Sequence, residues 1–87
     1  MSEEIEGKLI AEVTHYFDNI GVAVIKFSEG AKVGDKIRIV GGENTDFEQE
    51  IESMQVEHKD VEKAKKGDEV GMKVKEKVRE GYKVYKI

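Results

Sequence analysis

Alternation of apolar and polar residues is the dominant pattern along this chain. A β-strand sends successive side chains to opposite faces, so a period of two marks a strand. Residues 8–17 alternate: Leu9, Ala11 and Val13 share one face, and Ile10, Glu12 and Thr14 the other. Asp18-Asn19 follows as a turn. Residues 20–27 are apolar on both faces, as a largely enclosed strand is. Ser28-Glu29-Gly30 breaks that run, and residues 36–40 form a third strand with Ile37 and Ile39 inward. Gly41-Gly42-Glu43-Asn44-Thr45 reads as a hairpin loop, because these residues tolerate positive φ. In residues 46–58 the apolar phase changes, from odd at Ile51 to even at Met54 and Val56. Such a change predicts a bulge or a sharp bend. Residues 60–66 place Val61 and Ala64 at helical spacing, enough for one short turn. Residues 70–78 set Val70, Met72, Val74 and Val78 against Lys73, Lys75, Lys77 and Arg79. After a turn at Glu80-Gly81, residues 82–87 form the last strand.

Six strands with almost no helix predict an all-β domain. A small closed six-stranded antiparallel β-barrel is the favoured architecture, since closure removes exposed edges. A chain of 87 residues holds one core. The expected organisation is a frayed N-terminus over 1–6 and one barrel over 7–87, with no internal repeat. The absence of cysteine excludes a disulfide framework, a thiolate metal site and a cysteine nucleophile. The apolar runs, such as Val22-Ala23-Val24-Ile25, are too short to span a membrane. Residues 1–6 carry no signal-peptide pattern, so a soluble cytoplasmic protein is expected. Fourteen Glu and 13 Lys against two Gln and two Asn match a thermophilic composition.

The net charge of −4 hides an asymmetry. Residues 1–58 carry 5 basic and 13 acidic side chains, a net −8. Residues 59–87 carry 10 basic and 6 acidic ones, a net +4. A local polyanion footprint is one reading of that distribution, and a mixed solvated surface is the other.

Three segments carry a family resemblance. Phe27-Ser28-Glu29-Gly30 with Val33-Gly34-Asp35-Lys36-Ile37 is the first. Residues 51–58, Ile51-Glu52-Ser53-Met54-Gln55-Val56-Glu57-His58, with Ala64-Lys65-Lys66-Gly67-Asp68-Glu69-Val70-Gly71-Met72, form the second. Val78-Arg79-Glu80-Gly81-Tyr82 is the third. In this order and spacing they resemble domain II of translational GTPases, the elongation-factor-type β-barrel. The resemblance implies a barrel that binds no nucleotide and contacts ribosomal RNA or tRNA. No P-loop is present, so GTP hydrolysis is excluded for this chain. Residues 17–21 stand where elongation factors carry Gly-Arg-Gly-Thr, so the aminoacyl-tRNA site is not carried over.

Candidate chemistry is sparse. His15 and His58 lie far apart, and no spacing supplies three convergent zinc ligands. Ser28 and Ser53 lack a nucleophile-elbow context. Glu48, Glu50 and Glu52 share a strand face, either as a carboxylate cluster or as cross-strand partners of Lys36 and Arg38. The expectation is therefore a protein that is not an enzyme and takes no cofactor and no metal. Lys73, Lys75, Lys77 and Arg79 are the RNA-binding candidates, a row with a repeat of about 6.6 Å that could track phosphates. The alternative is a solvated face partly neutralised by Glu69 and Glu76. Tyr16 and Phe17 are the candidate anchor for a partner protein, or else close the barrel end. The resulting expectation is an RNA- or ribosome-associated accessory module, with a protein-interaction adaptor barrel as the alternative.

Overall fold

Nearly every alternating run becomes a strand, but the strands are shorter and more numerous than expected. The computed structural model describes residues 7–42 and 45–87. The expected frayed segment 1–6, and Glu43 and Asn44 of the expected hairpin loop, lie outside the described residues. The strands are β1 (Lys8–Phe17), β2 (Val22–Phe27), β3 (Ala31–Lys32), β4 (Lys36–Gly41) and β5 (Thr45–Glu50). They continue with β6 (Met54–Val56), β7 (Lys59–Val61), β8 (Lys63–Ala64), β9 (Glu69–Lys73) and β10 (Lys83–Lys86). Among the described residues there is no helix, so the short turn expected over 60–66 gives way to β7 and β8.

Eight strands form one antiparallel sheet in the order β5-β4-β10-β1-β2-β9-β6-β7, and β3 pairs with β8 separately. The all-β antiparallel expectation holds at this level. The closed six-stranded barrel does not: β5 and β7 are the two ends of the sheet, and no ladder joins them among the described residues. The sheet nonetheless curls around one core in which Phe27, Ile25, Ile37, Ile39, Met72 and Val84 are fully buried.

Gln49 explains how the curl is held. It is the one buried polar residue among those described. Its Nε2 donates to the Lys73 carbonyl at 3.0 Å, and the Lys75 amide donates to its Oε1 at 2.9 Å. A parallel strand bonds its neighbour in this pattern, donating to residue j−1 and accepting from residue j+1. The Gln49 amide thus stands in for one strand residue opposite Val74. Four strands separate β5 from β9 in the sheet order, so this contact requires the sheet to curl back on itself. A side chain bridges the seam that a ladder would close.

Three alternations break for identifiable reasons. The run 70–78 ends as a strand at Lys73. Continued to residue 78, it would turn Glu76 inward, and an unpaired buried carboxylate is costly. The chain bends instead: Val74 N–H bonds the Gly21 carbonyl at 3.1 Å, Glu76 stays exposed and Val78 re-enters the core. The run 46–58 is interrupted between Glu50 and Met54, at the phase change, with Ile51 fully buried in the gap. In β1 the pairing register shifts between Leu9 and Ala11 and again between Val13 and His15. Ile10, Ala11 and Val13 are consequently all buried and Leu9 is exposed, unlike a strict alternation.

A repeat that the linear reading does not find is visible in three dimensions. The Asp35 amide bonds the Lys32 carbonyl, and its carboxylate accepts from the Lys32 amide at 3.0 Å. Asp68 does the same with Lys65, at 2.9 Å for each bond. Gly34 and Gly67 hold φ of 99° and 91° in the two turns, the region that favours glycine. Each turn also clasps one apolar residue through both its backbone groups. Gly34 and Asp35 hold Ile51, and Gly67 and Asp68 hold Phe27. Ala31 pairs with Ala64 between the two units. The units Ala31-Lys32-Val33-Gly34-Asp35 and Ala64-Lys65-Lys66-Gly67-Asp68 are therefore structural equivalents.

Candidate functional site

An open groove of about 510 Å³ is lined by His15, Tyr16, Asp18, Lys77, Val78, Arg79 and Glu80. One wall is the end of β1 and the β1–β2 turn. That turn is closed by bonds from the Ile20 and Gly21 amides to the Phe17 carbonyl, at 3.2 and 2.9 Å. The other wall is the connector between β9 and β10. It is pinned by the Val74–Gly21 bond at one end, by Gly81 N–H to the Val13 carbonyl (2.8 Å) and by Val13 N–H to the Tyr82 carbonyl (2.8 Å) at the other. Val78, buried in the core, anchors its middle. His15 Nδ1 lies 3.5 Å from Glu80 Oε2, and the His15 and Phe17 rings meet edge to face at 4.4 Å.

The structure separates the expected basic row. Lys73 ends β9, and the Lys75 amide is held by Gln49. Lys77 and Arg79 line the groove, whereas Lys73 and Lys75 do not. All four side chains are exposed. The expectation of four cations on one strand face is thus corrected, because the strand stops before three of them. Tyr16 is half-buried, packs against the core and lines the same groove, while Phe17 is exposed and is not among its lining residues. Tyr16, Lys77 and Arg79, from two separate predictions, therefore meet in one place.

The remaining candidates have structural tasks. The Ser28 hydroxyl donates to the Ile10 carbonyl at 3.1 Å. His58 and Glu57 form the two-residue turn of the β6–β7 hairpin, with φ of 68° and 54°. Across β4 and β5, Lys36 pairs with Glu48 at 3.5 Å and Arg38 holds Asp46 through two bonds of 2.8 and 2.6 Å. The hydrogen bond from Arg38 holds the Asp46 carboxyl below its ordinary value. Of the three glutamates of the acidic face, Glu48 thus has a cross-strand ionic partner, whereas Arg38 takes Asp46 instead. Among the described residues no group of three His, Asp or Glu is placed to hold a metal ion. No helix there is long and apolar enough to cross a membrane.

No protein-family model matches the chain. An uncharacterised protease of Methanocaldococcus jannaschii is 42% identical over 94% of this chain and 22% of its own length. A collagenase of Porphyromonas gingivalis is 39% identical over 83% of this chain and 20% of its own length. The crystal structure of the C-terminal domain of a Geobacillus thermoleovorans protein assigned to the U32 peptidases superimposes with a TM-score of 0.86. That match covers 99% of each chain at 23% identity. This chain shares that domain's fold. Its selenomethionine variant gives a TM-score of 0.85 over 90% of this chain and 98% of its own.

These findings correct the resemblance to domain II of translational GTPases. The similar proteins are named protease, collagenase and U32 peptidase domain, not translation factors. The reading as an RNA- or ribosome-associated module, and the adaptor barrel argued from the same family, fall with it. The residues that carried the resemblance include Gly34-Asp35 and Gly67-Asp68, which form tight turns at the starts of strands. Such turns serve any curled sheet of this geometry and do not specify a family. The chain spans about a fifth of the length of the curated relatives it matches.

Proposed function

We propose that this chain is an accessory β-domain of the U32 peptidase type, working beside a catalytic core and contributing no hydrolytic group of its own. The observation that carries this reading is the alignment. Nearly the whole chain, at 42% identity, corresponds to a small part of a protein named as a protease. The side-chain chemistry supports it. The Ser28 hydroxyl is engaged by a backbone carbonyl, the Thr14 hydroxyl donates to Val24 at 3.1 Å, and His15 is paired with Glu80. A nucleophile needs a base within hydrogen-bond reach, and neither hydroxyl has one among its bonds.

The Porphyromonas gingivalis collagenase supplies the test. Deleting its region that matches this chain lowers collagen cleavage, and grafting this chain in its place restores it. A deletion variant with full activity, or a folded graft that restores nothing, refutes the accessory role. The chain alone leaves casein and gelatin intact, and cleavage by the purified chain likewise contradicts the proposal.

A further inference from the structure

We propose that the outer sheet face at the paired chain ends, centred on Leu9, Tyr85 and Ile87, docks against the catalytic core of a U32-type peptidase. The inference rests on the accessory-domain reading and assigns the surface through which that role is exercised. The two ends of the fold lie together. Lys8 pairs with Lys86, and the Ile87 amide bonds the Lys36 carbonyl at 3.0 Å. A Cβ on Gly7 would strike the Lys86 carbonyl and come within 2.7 Å of Ile87 Cγ2, so the first described residue lies against the last. In a longer protein, chain before Gly7 or after Ile87 therefore leaves from this one corner. The Geobacillus thermoleovorans domain is C-terminal in its protein, and most of the Methanocaldococcus jannaschii protease lies outside the match. The bulk of such a protein is thus attached beside Leu9.

The same corner is apolar on its outer side. Leu9 stands opposite Tyr85 in the β1–β10 ladder, and Ile87, two residues on from Tyr85, points the same way. Leu9 is 46% and Ile87 39% exposed, with Tyr85 half-buried beside both. The register shift between Leu9 and Ala11 puts the leucine there: Ile10 and Ala11 take the core places and Leu9 is turned out. Bulges re-aim side chains in this way. A cleft of about 320 Å³ continues the patch along Leu9, Ala11 and Phe27. Both hydroxyls in its lining donate to backbone carbonyls, Thr14 to Val24 and Ser28 to Ile10. Its one carboxylate, Glu12, stands between Lys26 and Lys83 on the neighbouring strands. At the margin Lys8 pairs with Glu29 at 3.6 Å and Lys86 with Asp35 at 3.4 Å. An apolar centre inside a charge-compensated rim suits a protein surface. The attachment point decides which protein. A tethered core meets this face at an effective concentration of about millimolar without a second encounter. A second copy would have to bring the same corner to a two-fold contact, where the two attached cores would compete for the space.

Hydroxyl-radical footprinting tests this. The Methanocaldococcus jannaschii protease carrying this chain in place of its matching region is compared with this chain alone. Leu9, Tyr85 and Ile87 are expected to oxidise roughly threefold or more slowly in the graft, because side chains at the centre of an interface lose their water. Phe17 and Ile20, exposed at the far end of β1, keep their rates. In the graft, Leu9→Asp returns Tyr85 and Ile87 towards the rates of the isolated chain. An unchanged unfolding midpoint of the isolated variant verifies its fold. Equal rates at Leu9 in the graft and the isolated chain overturn the proposal. So does protection centred on Phe17 and Ile20, or protection of the isolated chain that grows with its concentration, which marks a second copy. The readout is accessibility and not cleavage. Protection of Leu9 therefore supports docking even where the collagenase graft restores no activity, and restored activity with Leu9 open sinks the docking alone.

Discussion

Replacing Gln49 by methionine keeps the side-chain length and removes both bonds across the seam. The Lys73 carbonyl and the Lys75 amide then lose their partners at a part-buried site. Each unsatisfied buried group costs about 1–3 kcal/mol, and partial burial puts both near the lower end, about 3 kcal/mol together. Burying the methionine offsets about 1 kcal/mol of that. The net loss is about 2 kcal/mol. For a chain of this length, 1 kcal/mol shifts the midpoint by about 5–6 °C, so Tm should fall by about 10 °C. Thermal unfolding followed by circular dichroism gives the midpoint, and amide hydrogen exchange reads Lys75 directly. Its protection is expected to disappear in the variant while amides within the β1–β2 ladder keep theirs. A Tm drop below about 4 °C, with Lys75 still protected, refutes the role assigned to Gln49. A Gln49→Glu variant adds a signature: its carboxylate cannot donate to Lys73, so its deficit relative to the wild type shrinks when acid protonates it.

Two further outcomes test other parts of the fold. Arg38 holds the Asp46 carboxyl below its ordinary value. That pair therefore contributes at pH values above the ordinary aspartate range, and the contribution is lost as pH falls through and below about 4. The Tm difference between wild type and Asp46→Asn should be present at pH 7 and shrink across that acidic window; a constant difference contradicts the assignment. Glu57 and His58 occupy a two-residue hairpin turn with positive φ at both positions, where Asn-Gly is favoured. The Glu57→Asn/His58→Gly variant should gain about 1–2 kcal/mol, read as a higher unfolding midpoint, and an unchanged midpoint speaks against that turn geometry.

Much of the local structure was legible in the residues. The period of two located β1 with its observed ends, and the phase change at Ile51 marked the interruption between β5 and β6. Gly34-Asp35 and Gly67-Asp68 stand in two of the segments that carry the family resemblance, and each forms a tight turn closed by its aspartate carboxylate. The site was legible only in pieces. Tyr16, Lys77 and Arg79 were each singled out, but about sixty residues separate the first from the others in sequence. Asp18 and Glu80 read in the sequence only as turn residues and His15 only as an isolated imidazole, so nothing there pointed to their meeting in the groove. Glu76 at an inward phase of the run 70–78 was the sign that this strand must end early.

Sequence alone determined the longer strand-forming segments, though not the short β3, β7 and β8, and the division into an acidic first part and a basic last part. Those properties depend on neighbours within a few positions, where backbone sterics and side-chain alternation act. Tertiary structure decided that the sheet curls without closing, that Gln49 supplies the missing strand residue, and that two glycine–aspartate turns are structural equivalents, each clasping one apolar residue. It also decided that a turn at residue 17 meets a connector at residue 79. Each of these depends on contacts between residues far apart along the chain, and alternation carries no information about which distant strand edge will face another.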